Sequence, residues 1–146
     1  MQELQQPAVQ TPVRFKDAGT EEKTTIRTCA CQLTNRWGRE ITDVNFRHRR
    51  GNDSGKEDSK SWTSLSENAA EPGPTIVFET GIGAPGDYWY VEFKVDGVTW
   101  KCKDDFYCDL RAQDENTTVS LEVRAGDEQF YVTMNSGSCS VGLFTS

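Results

Sequence analysis

The sequence lacks the residues that most enzymes place in a catalytic site. His48 is the only histidine, and it alternates with Val44 and Phe46 in a predicted strand, which is typical of a histidine packed into a core. There is no Gly-x-Ser-x-Gly elbow. No glycine-rich phosphate loop leads into a helix either, because Pro85 stands where a helix would begin after Gly81-Ile82-Gly83. We therefore expect a protein that is not an enzyme.

Acidic residues near predicted turns offer two alternatives. A glycosidase needs two carboxylates that face each other across a cleft, and the acidic pairs are Asp104-Asp105 and Asp114-Glu115. A calcium site would draw on Asp104, Asp105 and Asp109. Solvated charge at turns accounts for both patterns. A hydrolase that uses these acids is therefore a third hypothesis, after the two binding functions given below. We expect no metal and no cofactor.

Basic residues and long apolar runs are also scarce. Lys and Arg total 16 against 23 Asp and Glu, so the formal net charge is −7. This balance argues against a nucleic-acid partner and against general electrostatic docking on anionic lipid. No apolar run approaches the length of a membrane span. The polar start has no secretory signal, so we expect synthesis in the cytoplasm and action outside, at target-cell membranes.

Cysteine is present in an odd number, five. Without a secretory signal, the default state is reduced thiols that pack as small apolar groups. In oxidising surroundings, the expected disulfide is Cys102–Cys108, across a short loop. A four-thiolate zinc site would add Cys29 and Cys31, but these spacings do not match zinc knuckles.

The stretch from Asp87 to Asp105 predicts a β-hairpin around which the rest of the chain is organised. Its first strand has the period-two pattern of a half-buried strand, in which Trp89, Val91, Phe93 and Val95 alternate with Tyr88, Tyr90, Glu92 and Lys94. Asp96-Gly97 suits a type I′ turn. The resulting register pairs Val95 with Val98, Phe93 with Trp100, and Val91 with Cys102. The apolar face of this hairpin requires a second layer.

Short strands at intervals of about ten residues, with turn chemistry between them, predict an all-β fold, an antiparallel β-sandwich. Residues 1–22 are polar and contain Pro7 and Pro12, so we interpret them as a flexible tail before a sandwich domain of residues 23–146. Alternation predicts the core residues Phe46, Phe78, Trp89, Val91, Phe93, Val95, Trp100, Val119, Leu121 and Phe130.

Aromatic residues at predicted loop ends and outward strand positions are the unusual feature of the sequence. Tyrosine and tryptophan suit an interface, because one part of each side chain is apolar and the other is polar. The candidate membrane- or receptor-binding residues are Trp37, Trp62, Tyr88, Tyr90, Phe106 and Tyr107. The alternative for Trp37 and Trp62 is that they cap the two open ends of the core.

Several segments together point to a known family. They are the strand–turn–strand from Asn35 through Phe46, Pro72-Gly73 before a strand, Asp87-Tyr88-Trp89-x-Val91-x-Phe93, Asp96-Gly97, Trp100, and Cys108-Asp109-Leu110. This pattern, which covers roughly Lys23 to Val123, resembles the aegerolysin-like proteins, small β-sandwiches without signal peptides.

The resemblance implies a lipid- or receptor-binding module that makes pores together with a larger, perforin-type protein. In bacteria such pairs include insecticidal toxins. By this analogy the chain is the small, non-enzymatic component of a two-component pore-forming toxin, and it recruits its partner to a lipid or receptor of the target cell. The alternative is a lectin-like glycan-binding β-sandwich in which Trp37 or Trp62 stacks on sugar.

Overall fold

The computed structural model describes residues 23–146, so the predicted flexible tail lies outside the described residues. The first half of this region contains strands β1 (Lys23–Arg36), β2 (Ile41–Arg50), β3 (Glu57–Leu65), β4 (Ala70–Pro72), β5 (Ile76–Ile82) and β6 (Asp87–Val95). The second half contains β7 (Val98–Lys101), β8 (Phe106–Tyr107), β9 (Thr118–Arg124), β10 (Gln129–Met134), β11 (Gly137–Gly142) and β12 (Phe144–Thr145), with a 3₁₀ turn at Ala112–Asp114.

The strands form two six-stranded sheets that pack face to face, which confirms the all-β sandwich. The first sheet has the order β11-β10-β9-β1-β4, and β5 also pairs with β1. The second has the order β12-β7-β6-β2-β3, and β8 also pairs with β6. Strands β1 and β9 are parallel. The other strand pairs of residues 23–146 are antiparallel, so the predicted antiparallel character holds with this one exception. The described region contains no helix long and apolar enough to cross a membrane.

The central hairpin has the predicted register. Val95 pairs with Val98 and Phe93 with Trp100 in the β6–β7 ladder. The turn residues Asp96 and Gly97 have φ angles of 50° and 78°, as a type I′ turn requires. Strand β7 ends before Cys102, but the Cys102 amide still donates a hydrogen bond to the carbonyl of Val91 at 3.3 Å.

In the sequence, Ile41 falls out of phase with Val44 and Phe46, which predicts a bulge or a strand start shifted by one residue. The start of β2 does depart from regular pairing. The register with β6 shifts between Thr42 and Asn45, and Asp43 has a φ of 48°. This bulge returns Val44 and Phe46 to the inward face. The polar stretch from Arg50 to Lys60, which is without periodicity, predicts an exposed loop over its whole length. The observed loop is shorter, because it ends where β3 begins at Glu57. Its first residues are polar because this edge strand is mostly exposed.

Nine of the ten predicted core residues are buried: Phe46, Phe78, Trp89, Val91, Phe93, Val95, Val119, Leu121 and Phe130. Trp100 is the exception, since its side chain is only partly buried. It packs against the ring of Trp37, with the two ring centroids 4.9 Å apart. Trp37 also meets Phe93 edge to face at 5.0 Å, so it closes one end of the core.

The disulfide joins Cys108 to Cys139, and the predicted Cys102–Cys108 bridge is wrong. Cys102 is buried among core residues, whereas Cys108 follows β8 at the corner that lies against β11. The bridge therefore connects the corner of the second sheet with the edge strand of the first. Cys29, Cys31 and Cys102 are free and buried, as the reduced-thiol default predicts.

Burial raises the pKa of the three free thiols well above their usual range. The value is about 12 for Cys29 and Cys31, and about 11 for Cys102. These groups stay protonated at neutral pH and act as small apolar residues. Because Cys108 is oxidised, the four-thiolate zinc alternative loses one of its ligands.

We expect the variant with both Cys108→Ala and Cys139→Ala to lose about 2–4 kcal/mol of unfolding free energy, because the bridge restricts the unfolded chain across two sheets. Urea denaturation of the two proteins measures this difference. Dithiothreitol should destabilise the wild type by a similar amount and leave the double variant unchanged. Equal midpoints for both proteins without reductant would contradict the assigned pairing.

Candidate functional site

The candidate site is centred on the outward-facing side chains of β6. Trp89, Val91 and Phe93 are buried between the sheets, so Tyr88 and Tyr90 must point to the outer face of the second sheet. The antiparallel register with β2 places Arg49 opposite Tyr88 and Arg47 opposite Tyr90. Two tyrosines and two arginines therefore share one outer surface in consecutive pairs.

The neighbouring strands extend this surface on both sides. Strand β8 pairs Tyr107 with Tyr88, and their rings lie 5.4 Å apart. Strand β12 pairs Phe144 with Lys101, which itself pairs with Glu92 of β6. We call the resulting surface the tyrosine face, and it consists of Arg47, Arg49, Tyr88, Tyr90, Lys101, Tyr107 and Phe144.

Arg47 and Tyr90 form the centre of the tyrosine face. The Arg47 guanidinium carbon lies 4.2 Å from the centroid of the Tyr90 ring, a cation–π distance. The Tyr90 hydroxyl donates a hydrogen bond of 2.7 Å to Oε1 of Glu92. Burial and this carboxylate raise the pKa of Tyr90, so its hydroxyl remains a donor. The ring is thus fixed between a cation and an anion.

Two shallow cavities meet at this centre. The first has a volume of about 390 Å³ and is lined by Arg47, Tyr90, Lys101, Lys103, Asp104 and Phe144, with buried Cys102 at its base. The second has a volume of about 380 Å³, and its polar lining includes Asn45, Arg47, Ser59, Ser61, Tyr90 and Glu92. Volumes of this size lie at the lower end of the ~300–1,000 Å³ range of small-molecule sites.

Three of the six predicted site residues lie together on the tyrosine face: Tyr88, Tyr90 and Tyr107. Tyr107 is 52% exposed, and the other two are half-buried between their neighbours. Tyr107 lies beside the Tyr88 ring and Arg47 lies over the Tyr90 ring, and each covers part of its neighbour. The structure therefore brings together residues that the sequence placed in one hairpin and the corner after it.

The other three predicted site residues are not at this surface. The expected exposure of Phe106 is wrong, because its ring packs on Phe130 at 6.0 Å and is buried. Trp37 is 9% exposed and closes the core, which is the capping alternative. Trp62 is half-buried on the inward side of β3, and Lys60 Nζ lies 5.5 Å from its ring centroid. The indole nitrogen of Trp62 is buried without a hydrogen-bond partner in the described part of the chain.

Sequence reasoning missed Arg47, Lys101, Lys103 and Phe144. The alternation of β2 places Arg47 opposite in phase to Phe46, so its outward direction was readable from the sequence. Its position beside Tyr90 depends on the β2–β6 pairing, which joins segments more than 40 residues apart. Phe144 arrives through the pairing of the last strand with β7. Alternation within one segment does not reveal such neighbours.

His48 lies in a buried hydrogen-bond network and not at the protein surface. Its Nε2 lies 2.6 Å from Asp87 Oδ1, and its Nδ1 lies 3.0 Å from Asp58 Oδ2. Asp87 is fully buried and also accepts a hydrogen bond from the Leu110 amide, while Asp58 accepts one from the Val77 amide. The buried histidine therefore ties β2 to β3 and β6. Asp58 continues the network to β5 of the first sheet, and Asp87 continues it to the corner after β8.

The charge of His48 follows from these contacts. Burial by itself would lower the pKa of the imidazole, but the hydrogen bonds and charges of Asp58 and Asp87 outweigh it and raise the pKa above 6.5. Protonated His48 therefore contributes to the free energy of unfolding. Because its pKa is higher in the folded protein, this contribution is complete below pH 6.5 and is lost as the pH rises through the pKa of the folded protein.

Asp109 extends the same network toward the surface. Burial and its hydrogen bond and charge interaction with Asp87 raise the pKa of the Asp109 carboxyl to about 6. Its proton is bound more tightly in the folded protein, so stability falls as the pH rises from about 3.8 to about 6.

Comparisons with known proteins place the chain in no family: neither a protein-family model nor a curated protein matches it.

Replacing His48 with Ala should lower the unfolding free energy by about 3–5 kcal/mol, because the buried carboxylate of Asp87 loses its cationic partner. Chemical denaturation at pH 6 measures this loss. The wild type should lose stability as the pH rises above 6.5, while the variant should lack that slope. A wild-type stability that rises with pH above 6.5 would contradict the assigned charge.

Asp109→Asn should be more stable than the wild type above pH 6, because the amide keeps a donor toward Asp87 and removes a second negative charge. The two proteins should converge as the pH falls toward 3.8. Melting temperatures measured from pH 3.5 to 8 test this difference. Asp104→Asn is the matched control: it removes one exposed negative charge and keeps Asp109, so its melting temperatures should follow the wild-type profile.

Proposed function

We propose that this protein is a non-enzymatic recognition module that binds a lipid or receptor of a target-cell membrane through the tyrosine face. The observation that carries the proposal is the concentration of aromatic and cationic side chains on one outer sheet surface of an acidic protein. Aromatic side chains with polar ends and arginines are enriched at interfaces, because they supply contact area and directed hydrogen bonds together. A rigid sandwich that presents such a surface suits recognition.

The proposal extends to a partner. The resemblance to aegerolysin-like proteins motivates the role of the small component in a two-component pore-forming toxin. In that role, binding at the membrane recruits a larger perforin-type protein, which forms the pore. An insecticidal pair is the form of this arrangement that the resemblance suggests.

The polar environment of His48 supports a role without catalysis. Both ring nitrogens are engaged by Asp58 and Asp87, and the ring is buried against Trp89 at 4.7 Å. A general base needs to reach the proton that it removes from a bound substrate. An imidazole that is fully buried and held between two carboxylates is better suited to connecting strands.

Lectin-like glycan binding is the second candidate, and the lining of the second cavity favours it. Asn45, Ser59 and Ser61 are exposed polar residues of the kind that bond sugar hydroxyls. The stacking role, however, moves from the tryptophans to other rings, because Trp37 is buried in the core. On the tyrosine face this role falls to Tyr90 or Phe144.

Sedimentation with insect gut membrane vesicles tests the proposal. We expect the double variant Tyr88→Ser and Tyr107→Ser to bind at least about tenfold more weakly, because two partly exposed rings are lost from the contact surface. Ile26→Ser is the control, since Ile26 is 65% exposed on the first sheet. It should bind as the wild type does.

The same vesicles test recruitment. A perforin-type protein encoded by a neighbouring reading frame should remain on the vesicles and release a trapped dye only when this protein is present. If the wild type fails to bind gut vesicles and liposomes, with and without that partner, the proposed function is wrong.

A further inference from the structure

Two cations of the tyrosine face, Arg47 and Lys101, have no carboxylate partner within residues 23–146. Five arginines of the described region contact carboxylates: Arg27, Arg39, Arg49, Arg50 and Arg124. Arg47 makes no ion pair within residues 23–146 and contacts the Tyr90 ring instead. In a chain of net charge −7, a half-buried arginine with free donors is a distinctive site for an anion.

Lys101 reinforces this charge in the first cavity. It pairs with Glu92 across the β6–β7 ladder but makes no ion pair within the described residues, and Glu92 accepts the hydrogen bond from Tyr90. Lys103 also lines the cavity, and its nearest carboxylate is that of Asp105 at 3.9 Å. Three cations thus surround this cavity against the single acid Asp104.

The first cavity also has an apolar wall. Phe144 is 47% exposed and stands beside Lys101 through the β12–β7 pairing. A ligand in this cavity would meet cationic donors and a flat apolar ring together. An acidic sugar has both matching parts, because its carboxylate or sulfate suits the guanidinium and its C–H face suits an aromatic ring.

The second cavity supplies what a neighbouring neutral sugar requires. It shares Arg47 and Tyr90 with the first cavity, so the two cavities are adjacent on the surface. Its exposed Asn45, Ser59 and Ser61 offer donors and acceptors without a net positive charge. Glu92 and Glu57, the latter paired with Arg49, add two carboxylates, which accept hydrogen bonds from hydroxyl groups but repel a second anion.

We propose that the tyrosine face binds a short acidic oligosaccharide, with its carboxylate or sulfate on Arg47 and Lys101 and its neutral neighbour in the cavity of Asn45, Ser59 and Ser61. The inference rests on the proposed function, since it names the class of receptor that this face recognises. An isolated lipid phosphate would leave the second cavity unused. A long polyanion would meet the overall negative charge of the protein.

A glycan array tests the inference with sialylated, glucuronylated and sulfated oligosaccharides, each printed beside a counterpart that lacks only the acidic group. We expect the full-length protein to bind acidic members at least about tenfold more strongly than their neutral counterparts, because a charge-assisted hydrogen bond is lost in the latter. Affinity for the strongest acidic member, measured by calorimetry, should fall as salt is raised.

Variants assign the binding to the two cavities. Arg47→Gln and Lys101→Gln should each weaken binding of that oligosaccharide by about tenfold, and Arg47→Lys should fall between wild type and Arg47→Gln because it keeps the charge but loses the planar fork. Ser61→Ala should weaken binding of a disaccharide made of the acidic sugar and its neutral neighbour more than it weakens binding of the acidic sugar alone. Lys94→Gln is the matched control, since Lys94 is an exposed, outward-facing lysine of β6 that lines neither cavity.

Equal binding to acidic and neutral counterparts would overturn the inference. So would vesicles of phosphatidylserine or phosphatidic acid that bind where the acidic oligosaccharides fail, which would identify a lipid phosphate as the ligand. If gut vesicles are bound without any preference for acidic glycans, this inference falls and the proposed function stands. If acidic glycans are bound but neither membranes nor the partner are, the proposed function fails while the glycan site remains.

Discussion

The burial of one side of β6 is the interaction on which the rest of the structure depends. Trp89, Val91 and Phe93 are fully enclosed between the sheets, and the Trp89 indole donates to the Cys108 carbonyl at 2.8 Å. Fully burying each such side chain contributes about 1.5–3 kcal/mol or more. Because successive side chains of a strand point to opposite faces, this burial also fixes Tyr88 and Tyr90 on the outer surface.

The same strand begins at the polar centre of the protein. Asp87, the first residue of β6, is buried between His48 and the amide of Leu110. A buried carboxylate is costly unless it is paired and hydrogen-bonded, and here both conditions are met. The network fixes the corner after β8, from which Cys108 reaches β11. Apolar packing sets the register of the hairpin, while this network sets where the corner and Tyr107 lie.

The tyrosine face is a product of strand pairing. Arg47 enters from β2, Lys101 from β7 and Phe144 from β12, and they meet around Tyr90 only because β6 lies between β2 and β7. A proposed ligand would therefore contact elements from distant parts of the chain that the packed core holds in place. Sites supported by strands in this way need little reorganisation on binding, which favours affinity.

The sequence by itself determined the sandwich, the hairpin register, the irregular start of β2 and nine of the ten core residues that alternation predicted. These features follow from local alternation and turn chemistry, as the positive φ angles of Asp96 and Gly97 illustrate. Only the tertiary structure decided that Cys108 pairs with Cys139, that Trp37 and Phe106 are buried, and that Arg47 lies on Tyr90. The physical reason is that alternation tells which way a side chain points. What it then meets depends on pairing between distant strands, including the parallel contact of β1 with β9.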